Sequence, residues 1–315
     1  MENEKKERKL KGSLNKLQPK TVFVVFGIAG VLLLLLRIYQ TVVLMDPATG
    51  FFKDNGNFTI MLFYVLSIGI VAAVFLLFYL GRQVPVSLLH IRRNVPHALA
   101  CMLFAGTLIV DAVTRFSDYK AMSQAFVSAD PKQAETKLLL AYLIFAVLGA
   151  LVFALDAVVF FTGAAFGGKL RILRLIPVFW AFFLTIRYFA VTASYIHSTQ
   201  LFLTIFSVAF FMLFLFEYAR KIAGIVPEEN TAVFCATGLV SAILLLTVGV
   251  TNLILVVTGK GCMPHCEFVP YSLSGGLFCI TSLFLLKGAS AQDASASIPT
   301  APLSVDEAPV RTEEN

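Results

Sequence analysis

Long apolar runs alternate with short polar segments along most of the chain. A helix needs about 20 predominantly apolar residues to cross the hydrocarbon core of a bilayer, and eight runs reach or approach that length. The fifth and sixth are separated only by YIHSTQ. One helix of their joint length would be about twice the core thickness, so we predict two antiparallel spans there. The eight predicted spans are residues 21–45, 57–81, 97–116, 136–163, 176–197, 200–220, 231–257 and 270–287.

The composition points the same way. Hydrophobic residues make up 58% of the 315 positions and charged residues 14%, whereas average globular domains have about 45–50% and about 25%. Such a chain cannot hide its apolar surface in a soluble core. The sequence therefore predicts an all-α polytopic membrane helix bundle whose main partner is the lipid bilayer.

The positive charges indicate an orientation. Of the 25 Lys and Arg residues, 17 fall in segments on the same side of the predicted spans as the N-terminus, six fall on the other side and two lie within spans. This bias predicts a cell-membrane protein with both termini in the cytoplasm. Since the net charge of +6 resides in short loops and tails, we read it as an orientation signal and expect no nucleic-acid partner.

Three regions follow from these patterns. Residues 1–20 form a basic cytoplasmic tail, and residues 21–287 form the transmembrane bundle. Residues 288–315 are small, polar and Pro-containing, which predicts a disordered cytoplasmic tail. No soluble output domain is predicted, which argues against a sensor unless a partner supplies one.

Ionisable residues within the spans are the best candidates for function, because charges in hydrocarbon are costly and face the bundle interior. Arg37 and Asp111 lie in the outer half of their predicted spans, and Arg187 lies near the midplane of the fifth. If they converge, with Tyr188 beside them, the surplus positive charge would suit an anionic ligand. The alternative is a structural ion pair that fixes the helix register.

Asp111 has a second possible partner on its own helix. Arg115 follows one turn later, at i+4, where opposite charges attract each other. If Asp111 pairs with Arg115, it is not available as the carboxylate partner that would bring Arg37 and Arg187 together in one site.

Asp156 is a separate candidate in the inner half of the fourth predicted span. Lys169, Arg171 or Arg174 could reach it from the cytoplasmic side. It would then be a paired interior acid, whereas without a partner it would suit a protonatable site in a proton-coupled carrier.

The loop GKGCMPHCEF holds Cys262 and Cys266 on the predicted outer face. A small disulfide is favoured there, because this face is oxidising. Free thiols are the second alternative. A metal site with His265 and Glu267 is the third, and it is weak because no second pair of ligands is near.

No catalytic motif appears in the sequence. It has no H-E-x-x-H, no Walker A and no pair of histidines within a span that could hold haem. The four histidines, His90, His97, His197 and His265, fall in predicted loops or at span ends. We therefore expect neither an enzyme nor a cofactor.

Two stretches, LRIYQTVVLMDPATGFF and RLIPVFWAFFLTIRYFA, resemble a group of uncharacterised multi-pass membrane proteins of Gram-positive bacteria. The resemblance implies a bacterial cell membrane and no particular activity. The leading hypothesis is binding or transport of a small, anionic solute at the outer-half site. The alternative is a non-catalytic structural or accessory protein that assists a membrane-protein partner.

Overall fold

The structure, a computed structural model, describes part of the chain. The described residues are 19–44, 46, 52, 58–80, 86–87, 93–124, 132–163, 168–192, 199–223, 231–258, 270–285 and 287–288.

Eight α-helices account for most of the described residues. They are α1 (Pro19–Tyr39), α2 (Phe58–Leu80), α3 (Val95–Gln124), α4 (Lys132–Thr162), α5 (Ile176–Thr192), α6 (Thr199–Ile222), α7 (Ala232–Val257) and α8 (Pro270–Phe284). A π-helical turn, Gln40–Leu44, continues α1, and a 3-10 helix, Gly168–Leu175, precedes α5. Two short strands, β1 (Val86–Ser87) and β2 (Lys287–Gly288), pair in antiparallel orientation.

The helical bundle predicted from the apolar runs is confirmed. Within the described chain, seven helices are long and apolar enough to cross a membrane, and α8, with 15 residues, is the short one. The largest difference between a predicted and an observed boundary is at the end of α3. The predicted span ends at residue 116, whereas the helix continues to Gln124. The predicted tails lie outside the described residues, apart from residues 19–20 and 288.

The odd-numbered helices run in one direction and the even-numbered helices run in the other. Pairs of contacting residues show this: His97 at the start of α3 meets Thr281 near the end of α8, and Asp111 further along α3 meets Tyr142 near the start of α4. We use the name basic end for the end of the bundle where α1, α3, α5 and α7 begin, because the segments joined there carry the 17 Lys and Arg residues counted above. The opposite end is the far end.

The outside of the bundle is apolar, as expected for lipid contact. Large hydrophobic side chains such as Ile28, Ile68, Val113 and Phe189 are 58–68% exposed. Polar and charged side chains occupy the interior instead, with Arg37, His97, Asp111 and others buried. This distribution fits a bundle surrounded by hydrocarbon, in which costly polar groups find partners inside.

Small residues let α7 and α8 approach closely, which brings α8 into the centre of the bundle. A Cβ atom at Gly249 would lie 2.9 Å from the backbone nitrogen of Leu273, and one at Gly276 would lie 2.7 Å from Leu246 Cγ. Lipid tails are as apolar as leucine, so close van der Waals packing of this kind is a main source of helix association in membranes.

Candidate functional site

Asp111 anchors a cluster of polar side chains toward the far end, about 24 Å along α3 from its first residue. Its carboxylate pairs with the Arg115 guanidinium one turn further along the helix, with Nε 3.3 Å from Oδ1. Both side chains are buried. The sequence left two pairings open for Asp111, one with Arg115 on the same helix and one with Arg37 and Arg187 on other helices. The structure has the pairing with Arg115.

Tyr142 of α4 links this pair to Arg187 of α5. The Tyr142 hydroxyl donates a hydrogen bond to Asp111 Oδ2, while the Arg187 guanidinium carbon lies 5.8 Å from the centroid of the Tyr142 ring. Arg187 is half-buried and, within the described part of the chain, forms no ion pair. Two arginines and one aspartate therefore leave this cluster with one positive charge in surplus.

Two further tyrosines complete the far-end cluster, which we define as Asp111, Arg115, Tyr142, Arg187, Tyr188 and Tyr271. The hydroxyls of Tyr188 and Tyr271 lie 2.9 Å apart and join α5 to α8. The cluster therefore draws on four helices, α3, α4, α5 and α8. Tyr188 was predicted as a member, whereas Tyr142 and Tyr271 were missed because neither stands beside Arg37, Asp111 or Arg187 in the sequence.

Arg37 does not join this cluster, which corrects the expected convergence of Arg37 with Asp111 and Arg187. Its Nη1 donates to Gln40 Oε1 at 3.2 Å, and its guanidinium carbon lies 5.1 Å from the centroid of the Phe63 ring of α2. The reason is the position of α1, which packs against α2 and α7. Neither of these helices carries Asp111 or Arg187.

An aromatic layer lies next to the far-end cluster, on its basic-end side. The Phe104 ring is central, with centroids 4.7 Å from Phe153, 5.5 Å from Phe211 and 5.8 Å from both Trp180 and Phe278. All five side chains are fully buried. Together they fill the middle of the bundle between α3, α4, α5, α6 and α8.

A second polar cluster lies on the other side of this layer, toward the basic end. Asp156 of α4 pairs with Arg174 of the 3-10 helix, with Nη2 2.6 Å and Nε 2.8 Å from Oδ1. Of the three basic residues that the sequence offered, Arg174 pairs with Asp156, while the side chains of Lys169 and Arg171 lie outside the described part of the structure. Both side chains are buried, and the narrow gap beside them leaves no room for a water molecule.

His97 extends this basic-end cluster across the bundle. The Tyr218 hydroxyl lies 3.4 Å from Asp156 Oδ2 and 3.2 Å from His97 Nε2, and His97 Nδ1 lies 3.2 Å from the Thr281 hydroxyl. Cys101 Sγ lies 3.6 Å from His97 Nε2. The basic-end cluster is thus Asp156, Arg174, Tyr218, His97, Thr281 and Cys101.

Sequence reasoning treated His97 as a residue at a span end and missed its role in this network. Asn94 was the available signal, since its side chain accepts from the His97 backbone N–H at 3.1 Å and caps α3. A capped first turn places His97 inside the helix, where its fully buried ring stacks 5.4 Å from Phe278. The burial itself depends on α6 and α8, which are distant in the sequence.

Cys262 and Cys266 lie outside the described residues, so their predicted disulfide stays a prediction. Cys101, Cys235 and Cys279 are buried free thiols, and buried free cysteines behave as small apolar residues. Over the described ranges, no three His, Cys, Asp or Glu side chains come together in a way that could hold a metal ion.

Comparison of the chain with protein-family models, with curated proteins and with solved structures finds no match.

Proposed function

We propose that the protein is a carrier for a small anionic solute in a bacterial cell membrane, with the basic end in the cytoplasm and Arg187 as the anion-binding residue. The observation that carries the proposal is the state of Arg187. Its guanidinium rests on the Tyr142 ring, is half-buried, and lacks a carboxylate partner among the described residues. A carboxylate or phosphate group would supply the missing negative charge and match the guanidinium fork.

The arrangement of the two polar clusters supports transport rather than binding alone. His97 and Asp111 are 14 residues apart on α3, or about 21 Å, and the aromatic layer fills the space between their clusters. A carrier needs a closed barrier between the parts of its pathway that open to opposite sides. Phe104 and its neighbours are positioned to be that barrier in this state.

A binding assay on the purified full-length chain tests the proposal. The protein in lipid nanodiscs is titrated with inorganic phosphate, acetate and succinate, and binding is read from the shift in melting temperature. We expect saturable binding of at least one anion, with a loss of tenfold or more in Arg187→Gln and partial retention in Arg187→Lys.

Arg220→Gln is the matched control, because the Arg220 guanidinium is paired with Glu217 at 2.7 Å near the basic end of α6. This variant removes a positive charge that Glu217 already neutralises, and we expect it to leave anion binding unchanged. Binding by Arg187→Gln equal to the wild type, or no response to any of the three anions, would overturn the proposal.

A structural or accessory role is the second candidate, and the ion pairs favour it. Asp111 and Arg115 pair inside the bundle, as do Asp156 and Arg174, and charges that only fix helix positions would pair in this way. On this alternative, Arg187→Gln lowers the yield of folded protein, and no anion shifts the melting temperature of the wild type.

A further inference from the structure

An apolar groove runs along the side of the bundle between α1, α7 and α8, and no residue of either polar cluster is in its lining. Its volume is about 380 Å³. It extends along α1 from Phe23 to Leu34, which is 11 residues or about 16 Å. Thr247 is the one polar residue in its lining, and the Thr247 hydroxyl is already bonded to the Ile243 carbonyl. The groove therefore presents hydrocarbon and offers no polar group to an occupant.

The two glycines of α1 explain why the groove exists. A Cβ atom at Gly30 would lie 2.9 Å from Ile243 Cγ1, so α1 touches α7 at that point. A Cβ atom at Gly27, one turn earlier, would have no neighbour within 4 Å. The helices thus meet at Gly30 and separate toward Gly27, and the space between them is the groove.

The size of the groove decides what fits it. A helix segment about 10 Å wide and 16 Å long occupies about 1,300 Å³, several times the volume available. A cavity of about 150 Å³ holds one benzene, or about 25 Å³ per carbon, so 380 Å³ holds about 15 carbons. This is the content of one fatty acyl chain, and the groove lies among spans that would be surrounded by such chains.

Basic residues near one end of the groove indicate which lipid headgroup would be bound. The groove reaches Phe23 on α1 and Phe284 on α8, at the basic end of the bundle. Lys20 precedes Phe23 by three residues and Lys287 follows Phe284 by three, and the first 20 residues contain seven Lys and Arg in all. Basic residues next to membrane spans attract anionic headgroups. We propose that this groove is a binding site for one anionic phospholipid, with an acyl chain between α1 and α7 and the phosphate at the basic end.

Native mass spectrometry of the delipidated full-length protein tests this site. The added lipids are phosphatidylglycerol and phosphatidylcholine, each with two 16-carbon chains. We expect one phosphatidylglycerol to bind per chain, at least tenfold more tightly than phosphatidylcholine. The Lys16→Gln, Lys20→Gln double variant should lose most of that preference while still binding lipid.

Gly27→Phe fills the groove and should weaken phosphatidylglycerol binding by tenfold or more. Gly69→Phe is the matched control, since a Cβ atom at Gly69 on α2 also has no neighbour within 4 Å and Gly69 lies outside the groove. Leu34→Trp fills the groove from a second position and replaces Gly27→Phe if that variant does not fold. Undiminished binding by the filled variants, equal binding of the two lipids, or a lipid-free dimer that Gly27→Phe breaks would each overturn the proposal.

Discussion

Arg187 lies over the face of Tyr142, with 5.8 Å between the guanidinium carbon and the ring centroid. The ring's hydroxyl is bonded to Asp111, so the aspartate reaches Arg187 only through the tyrosine. This relationship separates two roles within one cluster. Asp111, Arg115 and Tyr142 hold each other in place, while Arg187 keeps a positive charge that the described part of the chain does not neutralise.

Arg187→Gln should therefore cost much less stability than Asp111→Asn. The first removes a cation–π contact, worth about 0.5–2 kcal/mol. The second removes the carboxylate from the buried pair of Asp111 with Arg115, and breaking a buried ion pair from one side costs about 3 kcal/mol or more. The free energy of unfolding in mixed micelles measures both. Equal losses would mean that Arg187 is as structural as Asp111, and the carrier proposal would lose its basis.

Tyr142→Phe and Tyr188→Phe form a matched pair that removes one hydroxyl each. The Tyr142 hydroxyl donates to a carboxylate, whereas the Tyr188 hydroxyl meets the neutral Tyr271 hydroxyl. Hydrogen bonds to charged groups contribute about 1.5–3 kcal/mol and neutral ones about 0.5–1.5 kcal/mol. We expect the larger loss of unfolding free energy in Tyr142→Phe. The reverse order would contradict the bridging role of Tyr142.

The Asp156–Arg174 pair should behave as a buried ion pair. Asp156→Asn removes the carboxylate that pairs with the buried Arg174 guanidinium, and we expect the unfolding free energy to fall by about 3–5 kcal/mol. Asp156→Leu combined with Arg174→Met removes both charges and should recover most of that loss. Thermal unfolding of the single and double variants checks this. A double variant less stable than the single one would show that the pair contributes net stability.

Gly249→Ala should weaken the contact of α7 with α8, because its methyl group would meet the Leu273 backbone nitrogen at 2.9 Å. The backbone cannot relieve this contact by changing rotamer, as a side chain can. We therefore expect the free energy of unfolding to fall by about 1–3 kcal/mol. Gly106→Ala on α3 is the control, since a Cβ atom there has no neighbour within 4 Å. It should be neutral or stabilising by up to about 1 kcal/mol. Melting temperatures that fall equally in both variants would argue against tight packing at Gly249.

The sequence predicts the helices well and their lateral arrangement poorly, for a physical reason. Span lengths follow from bilayer thickness, and contacts within one helix, such as Asp111 with Arg115, follow from its turn. Which helices touch does not follow, because the lipid-facing sides are as apolar as much of the interior. Arg37 was therefore grouped with Arg187 on depth alone, although α1 packs elsewhere. His97 was missed because its burial requires α6 and α8 to meet α3.

We expect water and anions to reach Arg187 from the far end, and cysteine labelling tests this access. In a variant without native cysteines, single cysteines replace Thr185, Tyr188 and Thr192, which follow one another at intervals of three and four residues in α5. Phe189→Cys, at a side chain 59% exposed on the outside of the bundle, is the lipid-facing control. Each variant is treated from the far-end side with a membrane-impermeant, negatively charged thiol reagent. We expect labelling as deep as residue 185, slowed by Arg187→Gln, and none at residue 189. Protection of both residues 185 and 188 would mean that Arg187 is sealed among packed helices, and the carrier proposal would be wrong.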